Sequence, residues 1–63
     1  MKFSIEQARI YRGISQDEMA AKIGIHPNTY CRKEHNPYTF RMGEMQKFLD
    51  AVQMKMSDLI YFD

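Results

Sequence analysis

The sequence predicts an all-α fold, a compact bundle of five short helices that forms a single domain over residues 1–63. Helix-start and helix-stop signals recur along the chain, whereas the alternation of apolar and polar residues typical of strands never lasts. Hydrophobic residues make up 44% of 63 residues, enough for one small core. Because a core of that size is marginal, each helix has to be short and economical.

The first two helices are predicted by their caps. Ser4 can cap the first helix, and Gly13 is a natural stop. Ser15 followed by Glu18 is a capping box, in which each side chain satisfies a free backbone N–H group of the other residue. Gly24 ends the second helix. The apolar residues that follow these caps, Ile5 and Ala8 in the first helix and Met19, Ala20 and Ile23 in the second, form the expected inner faces.

The third helix is predicted to begin near His26, with Pro27 in the first turn, where a missing N–H group costs nothing. It runs to about Glu34, and the Asn36-Pro37 pair breaks it. A metal or redox site is an alternative interpretation of His26, Cys31 and His35. Irregular spacing on one helix encloses a tetrahedral ion poorly, so His26 is better explained as a cap and Cys31 as a small helical side chain.

The fourth helix is expected from about Arg41 to Val52, and a short fifth helix near Ser57–Tyr61. Apolar residues recur in the fourth at intervals of three and four, which is one face of a helix, and we interpret them as core. They are Met42, Met45, Leu49 and Val52, with Phe48 beside them.

A link of about three residues joins the second and third helices, and so short a link forces a steep crossing. A steep crossing needs a small side chain where the backbones meet, which Ala20 supplies, and a turn without a Cβ clash, which Gly24 supplies. These features together describe a helix-turn-helix.

The stretch "ARIYRGISQDEMAAKIGIHPNTYCRKE" resembles the Cro/C1-type (XRE) family of phage and bacterial transcriptional regulators. The similarity extends from about Ile5 to Phe62, and its most specific part is the pattern from Arg9 to Ile25 with Glu34 closing the third helix. It implies a lambda repressor-like domain that binds double-stranded DNA with the third helix in the major groove. A repressor that works as a homodimer on DNA is the expected function.

The resemblance also implies roles for particular residues. The positions that usually read bases are Pro27, Asn28, Thr29 and Arg32, and those near the DNA backbone are Gln16, Lys33, His35 and Asn36. Arg9 and Glu34 align with an ion pair that ties the first helix to the third. Arg32 can bind guanine O6 and N7, and Asn28 can pair with adenine.

Four residues depart from the family pattern. Pro27 lacks a long polar side chain, and Lys33 occupies a normally apolar position, from which its amine is expected to reach outward. Asn36 and Gln53 replace glycines, and asparagine tolerates a positive φ. We expect these changes to affect base contacts more than the fold.

Charge is distributed unevenly although the net charge is only +1. Residues 25–41 contain Arg32, Lys33 and Arg41 against Glu34 alone, whereas residues 42–63 contain two positive and four negative side chains. A local basic face can guide DNA binding even when the total charge is small. Chance segregation in so short a chain is the alternative.

Other classes of function fit less well. No Gly-rich phosphate loop or catalytic constellation is present, so an enzyme and a cofactor are not expected. One cysteine, no apolar span and no signal peptide favour a cytoplasmic protein without a membrane anchor. The rival hypothesis is a protein-binding module, an adaptor or antitoxin-like component, that uses its apolar C-terminal tail: Met54, Met56, Leu59, Ile60, Tyr61 and Phe62. DNA binding should weaken steeply with salt, and apolar binding should not.

Overall fold

The computed structural model describes residues 2–59, and their regular secondary structure is helical apart from one isolated bridge. Four α-helices and two short 3₁₀ helices follow one another along the chain. The α-helices are α1 (Ile5–Tyr11), α2 (Gln16–Ile23), α3 (Pro27–His35) and α4 (Met42–Val52), and the 3₁₀ helices are Pro37–Thr39 and Met56–Asp58. None of the helices in residues 2–59 is long and apolar enough to cross a bilayer.

Ser4 and Ser15 cap α1 and α2, as the sequence predicts, and the capping box expected at Ser15 also occurs at Ser4. The Ser4 hydroxyl accepts a hydrogen bond from the Gln7 amide at 3.1 Å, and the Ser15 hydroxyl accepts one from the Glu18 amide at 3.0 Å. The Glu18 carboxylate in turn accepts from the Ser15 amide at 2.9 Å, which lowers the pKa of Glu18. Gly24, at φ +87°, then ends α2 in the left-handed conformation that glycine adopts without strain.

His26 caps α3, and Pro27 is its first residue. The imidazole Nδ1 of His26 accepts a hydrogen bond from the Asn28 amide at 3.1 Å. Asn36 ends the helix at φ −137°, so the positive φ considered for this asparagine is not adopted. The reason is that the backbone amide of Asn36 already donates to the carbonyl oxygens of Arg32 and Lys33, both at 3.1 Å, without a left-handed turn.

The core lies where α1, α2, α3 and α4 meet. The largest completely enclosed side chains are Tyr30, Phe48, Ile5, Met19 and Val52. Met42 is a correction to the predicted apolar face, since it is 88% exposed. As the first residue of α4, Met42 lies beyond the packed part of the face, which begins one turn later at Met45.

The helix pair α2 and α3 has the predicted close packing. Ala20 has no exposed surface, and α2 packs against both α3 and α4. The backbone carbonyl of Ala20 accepts from the Gly24 and Ile25 amides, at 2.8 and 3.0 Å, which closes the turn toward α3. Gln53 ends α4 at φ +56°, a conformation that glycine would adopt more easily.

The predicted fifth helix is wrong within the described residues, which hold four α-helices. Met56–Asp58 is a single 3₁₀ turn, and Leu59 is extended in an isolated parallel bridge with Phe3. The Phe3 amide donates to the Asp58 carbonyl at 2.9 Å, which holds the chain extended at the point where a helix would continue. The remainder of the predicted helix, Ile60 and Tyr61, lies outside the described residues, as does Phe62.

Candidate nucleic-acid interface

One side of α3 is exposed along its whole length. Asn28, Arg32 and His35 follow one another at intervals of four and three residues, so they share a stripe on the helix surface. We call this stripe, together with Pro27 at its start, the exposed edge of α3. All four residues are exposed, whereas Thr29 beside them is half-buried. The edge is about 13 Å long for nine residues at the ordinary helical rise, and the diameter of an α-helix matches the width of a major groove.

Arg32 is the positive charge at the middle of the exposed edge. Neither of the two ion pairs found among residues 2–59 includes it. Its five guanidinium donors remain close to solvent on an exposed side chain. An arginine in this state can meet an external acceptor without first breaking an internal ion pair.

The opposite side of α3 is tied to α1 and α2 by a buried carboxylate. Glu34 accepts hydrogen bonds from Arg9 Nε at 2.7 Å, from the Tyr30 hydroxyl at 2.6 Å and from Gln16 Nε2 at 2.9 Å. Arg9 also donates to the Ile14 carbonyl at 2.7 Å. We call Arg9, Gln16, Tyr30 and Glu34 the Glu34 network. It fixes the rotation of α3 about its axis and therefore the direction of the exposed edge.

The charges of the Glu34 network are mutually stabilised. Burial alone would raise the pKa of Glu34, but hydrogen bonds from Arg9, Tyr30 and Gln16 outweigh it, so this pKa lies below its ordinary value. The hydrogen bond to Glu34 raises the pKa of Arg9. Burial, and then the same carboxylate, raise the pKa of Tyr30. At neutral pH the network therefore contains one carboxylate, one guanidinium and a neutral phenol.

Comparison with protein families identifies the family of this chain. A family model described as the Cro/C1-type HTH DNA-binding domain matches residues 5–63. The chain belongs to the Cro/C1-type family of helix-turn-helix DNA-binding domains. Searches of curated proteins and of solved structures each found no match. The family match covers α1, the helix pair and the exposed edge of α3 together.

In this Cro/C1-type domain, Gln16 is turned partly inward. It begins α2, is half-buried and donates its amide to Glu34, with Cys31 Sγ also 3.9 Å from Nε2. One amide hydrogen is thus committed to a carboxylate, and the other faces only a weak sulfur acceptor.

Lys33 corrects an expectation, because its amine does not reach outward. Lys33 Nζ donates to the Thr39 carbonyl at 2.7 Å and lies 2.9 Å from Glu44 Oε1. The Lys33 side chain is only 13% exposed and passes near the ring of Phe40. Glu44, in the first turn of α4, attracts the Lys33 amine toward the protein, so Lys33 links α3 to α4.

His35 and Asn36 lie at the end of α3, and both are exposed. The His35 ring is held by its own helix, with Nδ1 2.8 Å from the Cys31 carbonyl oxygen. The backbone carbonyl of Asn36 accepts from the backbone amide and the hydroxyl of Thr39, at 3.0 and 2.8 Å. Among residues 2–59, no group of three His, Cys, Asp or Glu side chains is placed to hold a metal ion.

Two contacts of the domain escape prediction from the sequence. The hydroxyl of Tyr30, whose ring is buried in the core, is a donor to Glu34. Arg12 Nε donates to the Val52 carbonyl at 2.7 Å, across 40 residues, and satisfies the end of α4. The spacing of four residues between Tyr30 and Glu34 on one helix was a signal for the first contact. No local pattern signals the second.

Proposed function

We propose that this domain binds duplex DNA in a sequence-specific manner and regulates transcription, as a repressor in a phage or bacterial switch. Residues 1–63 act as one non-enzymatic domain in the cytoplasm. The observation that carries the proposal is an exposed edge of α3, with an arginine outside any ion pair of the described residues, on a helix whose other side is fixed by the Glu34 network. A rigidly held, polar and protruding helix is what insertion into a major groove requires.

The base contacts in this proposal come from the exposed edge. Arg32 takes guanine O6 and N7 with its two-pronged donor, and Asn28 pairs with adenine N6 and N7. Thr29, half-buried beside them, reaches a thymine methyl group or a nearby phosphate. Pro27 offers only an apolar contact and sets the start of the helix. Specificity thus rests mainly on two side chains one helical turn apart.

The phosphate contacts come from both ends of the helix pair. Gln16, at the first turn of α2, offers an amide hydrogen beside free backbone N–H groups. His35 and Asn36 flank the other end of α3. Lys33 is engaged by Glu44 and Thr39, so it contributes by holding the end of α3 in place.

A homodimer on DNA completes the proposal. Two copies place two α3 helices in successive major grooves, about one helical turn of DNA apart, and read two half-sites related by two-fold symmetry. One copy alone offers few base contacts, so pairing on DNA multiplies the discrimination between sites.

The second candidate is a protein-binding module. It is favoured by apolar side chains at the surface, with Met42 88% and Met56 48% exposed. A module of this kind would bury methionines against another protein and leave α3 exposed.

Selection of binding sites from random duplexes, followed by salt titration of the recovered duplex, tests the proposal. We expect a short motif with two-fold symmetry, and an affinity that falls linearly with salt on logarithmic axes, with a slope of about −0.9 for each neutralised phosphate. Enrichment of no motif, together with binding that salt does not weaken, would contradict DNA reading and favour the protein-binding module.

A further inference from the structure

The ring of His35 is held in one tautomer by the end of α3. Its Nδ1 lies 2.8 Å from the backbone oxygen of Cys31. A carbonyl oxygen can only accept, so Nδ1 carries a hydrogen and donates it. A neutral imidazole has a single ring N–H, and Nε2 of the neutral ring is therefore a bare acceptor. Since the side chain is exposed, a bound molecule meets a ring with only an acceptor to offer.

A DNA phosphate cannot use that acceptor. Phosphate oxygens are acceptors themselves and carry negative charge, so they repel the lone pair of Nε2. The protonated ring differs in two ways, because it donates from Nε2 and adds a positive charge. We propose that His35 contacts a DNA phosphate only as the imidazolium, so that DNA binding by this domain takes up one proton, which presupposes the DNA binding proposed above.

The surroundings of His35 leave the added charge for the phosphate to neutralise. The end of a helix carries partial negative charge, which favours a cation there. Glu34 on α3 and Glu44 on α4 are already paired with Arg9 and Lys33. Neither ion pair among residues 2–59 includes His35. The other charged or titratable groups of α3 and the adjoining elements belong to four parts of the chain. They are Tyr30, Cys31 and Arg32 on α3 with His26 at its cap, Asp17, Glu18 and Lys22 on α2, Tyr38 in the 3₁₀ helix, and Arg41, Lys47 and Asp50 before and on α4.

The consequence is a coupling between pH and affinity in a range where DNA itself does not titrate. Uptake of one proton on binding lowers the dissociation constant by up to about tenfold for each unit that the pH falls. The acidic form also makes one more phosphate contact, so its salt dependence is steeper by about 0.9 in logarithmic slope.

The test measures dissociation constants from about pH 5.5 to about pH 7.5. The probes are a mixed-sequence duplex of about 24 base pairs, long enough for two half-sites, and the duplex recovered by selection. The proteins are the natural chain, His35→Gln, which keeps a polar side chain without titration, and His26→Asn. The last variant is the matched control, because it removes the only other histidine and keeps a good N-cap. Circular dichroism over the same range checks that all three remain folded.

We expect the natural chain and His26→Asn to bind more tightly, and with a steeper salt dependence, as the pH falls, and His35→Gln to show neither change. An equal pH dependence in His35→Gln would overturn the proposal. So would tighter binding at high pH, which would mean that neutral Nε2 accepts from a base amino group. DNA binding that does not vary with pH overturns this inference alone, whereas no DNA binding at any pH overturns the proposed function as well.

Discussion

At the scale of single residues, the carboxylate of Glu34 determines how α3 is held. Three side chains from three helices donate to it, and it is buried with Arg9. An ionised group in that position is tolerated because its acceptor sites are occupied, and removal of one partner is costly for the same reason. The sequence family pattern indicates the pair with Arg9, but the contribution of Tyr30 requires the three-dimensional arrangement.

Tyr30→Phe tests this network at one atom. The change removes a 2.6 Å hydrogen bond to a buried carboxylate and leaves the ring in place. We expect it to lower the free energy of unfolding by about 1.5–3 kcal/mol at neutral pH, measured by urea denaturation. Tyr11→Phe, at a tyrosine that is 63% exposed, is the matched control and should change stability little. Equal losses in both variants would show that the Tyr30 hydroxyl is not a significant partner of Glu34.

The same pair of variants gives a signed pH dependence. The pKa of Glu34 is lower in the folded state, so its contribution to stability is complete above the unfolded pKa of about 4.3 and is lost as the pH falls through the folded pKa. Loss of the Tyr30 hydroxyl raises the folded pKa toward the unfolded one. Acid unfolding of Tyr30→Phe should therefore begin at a higher pH than that of Tyr11→Phe, as followed by circular dichroism.

At the scale of helices, local signals were sufficient for the starts of α1, α2 and α3. Ser4, Ser15 and His26 each satisfy a backbone amide within three residues, which is information that the sequence contains directly. The absence of the predicted fifth helix could not be inferred from local signals. Phe3 pairs with the chain at Asp58 and Leu59, more than fifty residues away, and this distant contact overrides the local preference.

The crossing of the helix pair provides a second prediction. Ala20 is completely enclosed on α2, whereas its neighbour Ala21 is exposed. Ala20→Leu should lower the free energy of unfolding by about 1–3 kcal/mol, because the added atoms have no room and push the helices apart. Ala21→Leu, the same substitution one position along, should change stability by about 0.5 kcal/mol or less. Equal effects in a thermal melt would argue against a close crossing at Ala20.

At the scale of the whole molecule, a net charge of +1 is too small to draw this chain to DNA by itself. Affinity then depends on where the charges lie, with Arg32 exposed on α3 and Lys33 neutralised by Glu44. In the sequence both residues belong to one basic region. The sequence does not show that Glu44, eleven positions after Lys33, forms an ion pair with the Lys33 amine. The surface around α3 is therefore less basic than the composition of residues 25–41 indicates, and the proposed DNA reading has to depend more on base contacts.

Arg32→Ala tests the central claim, that the exposed edge of α3 reads bases, most directly. Binding of the natural chain and the variant is compared on the selected duplex and on duplexes with a single base pair changed. We predict that the variant loses about 1–3 kcal/mol on the selected duplex and no longer discriminates at one G·C position in each half-site. Gln16→Ala, with its folded fraction verified, should weaken binding to all duplexes alike. An Arg32→Ala loss that is equally uniform, with every base preference retained, would contradict base reading by α3.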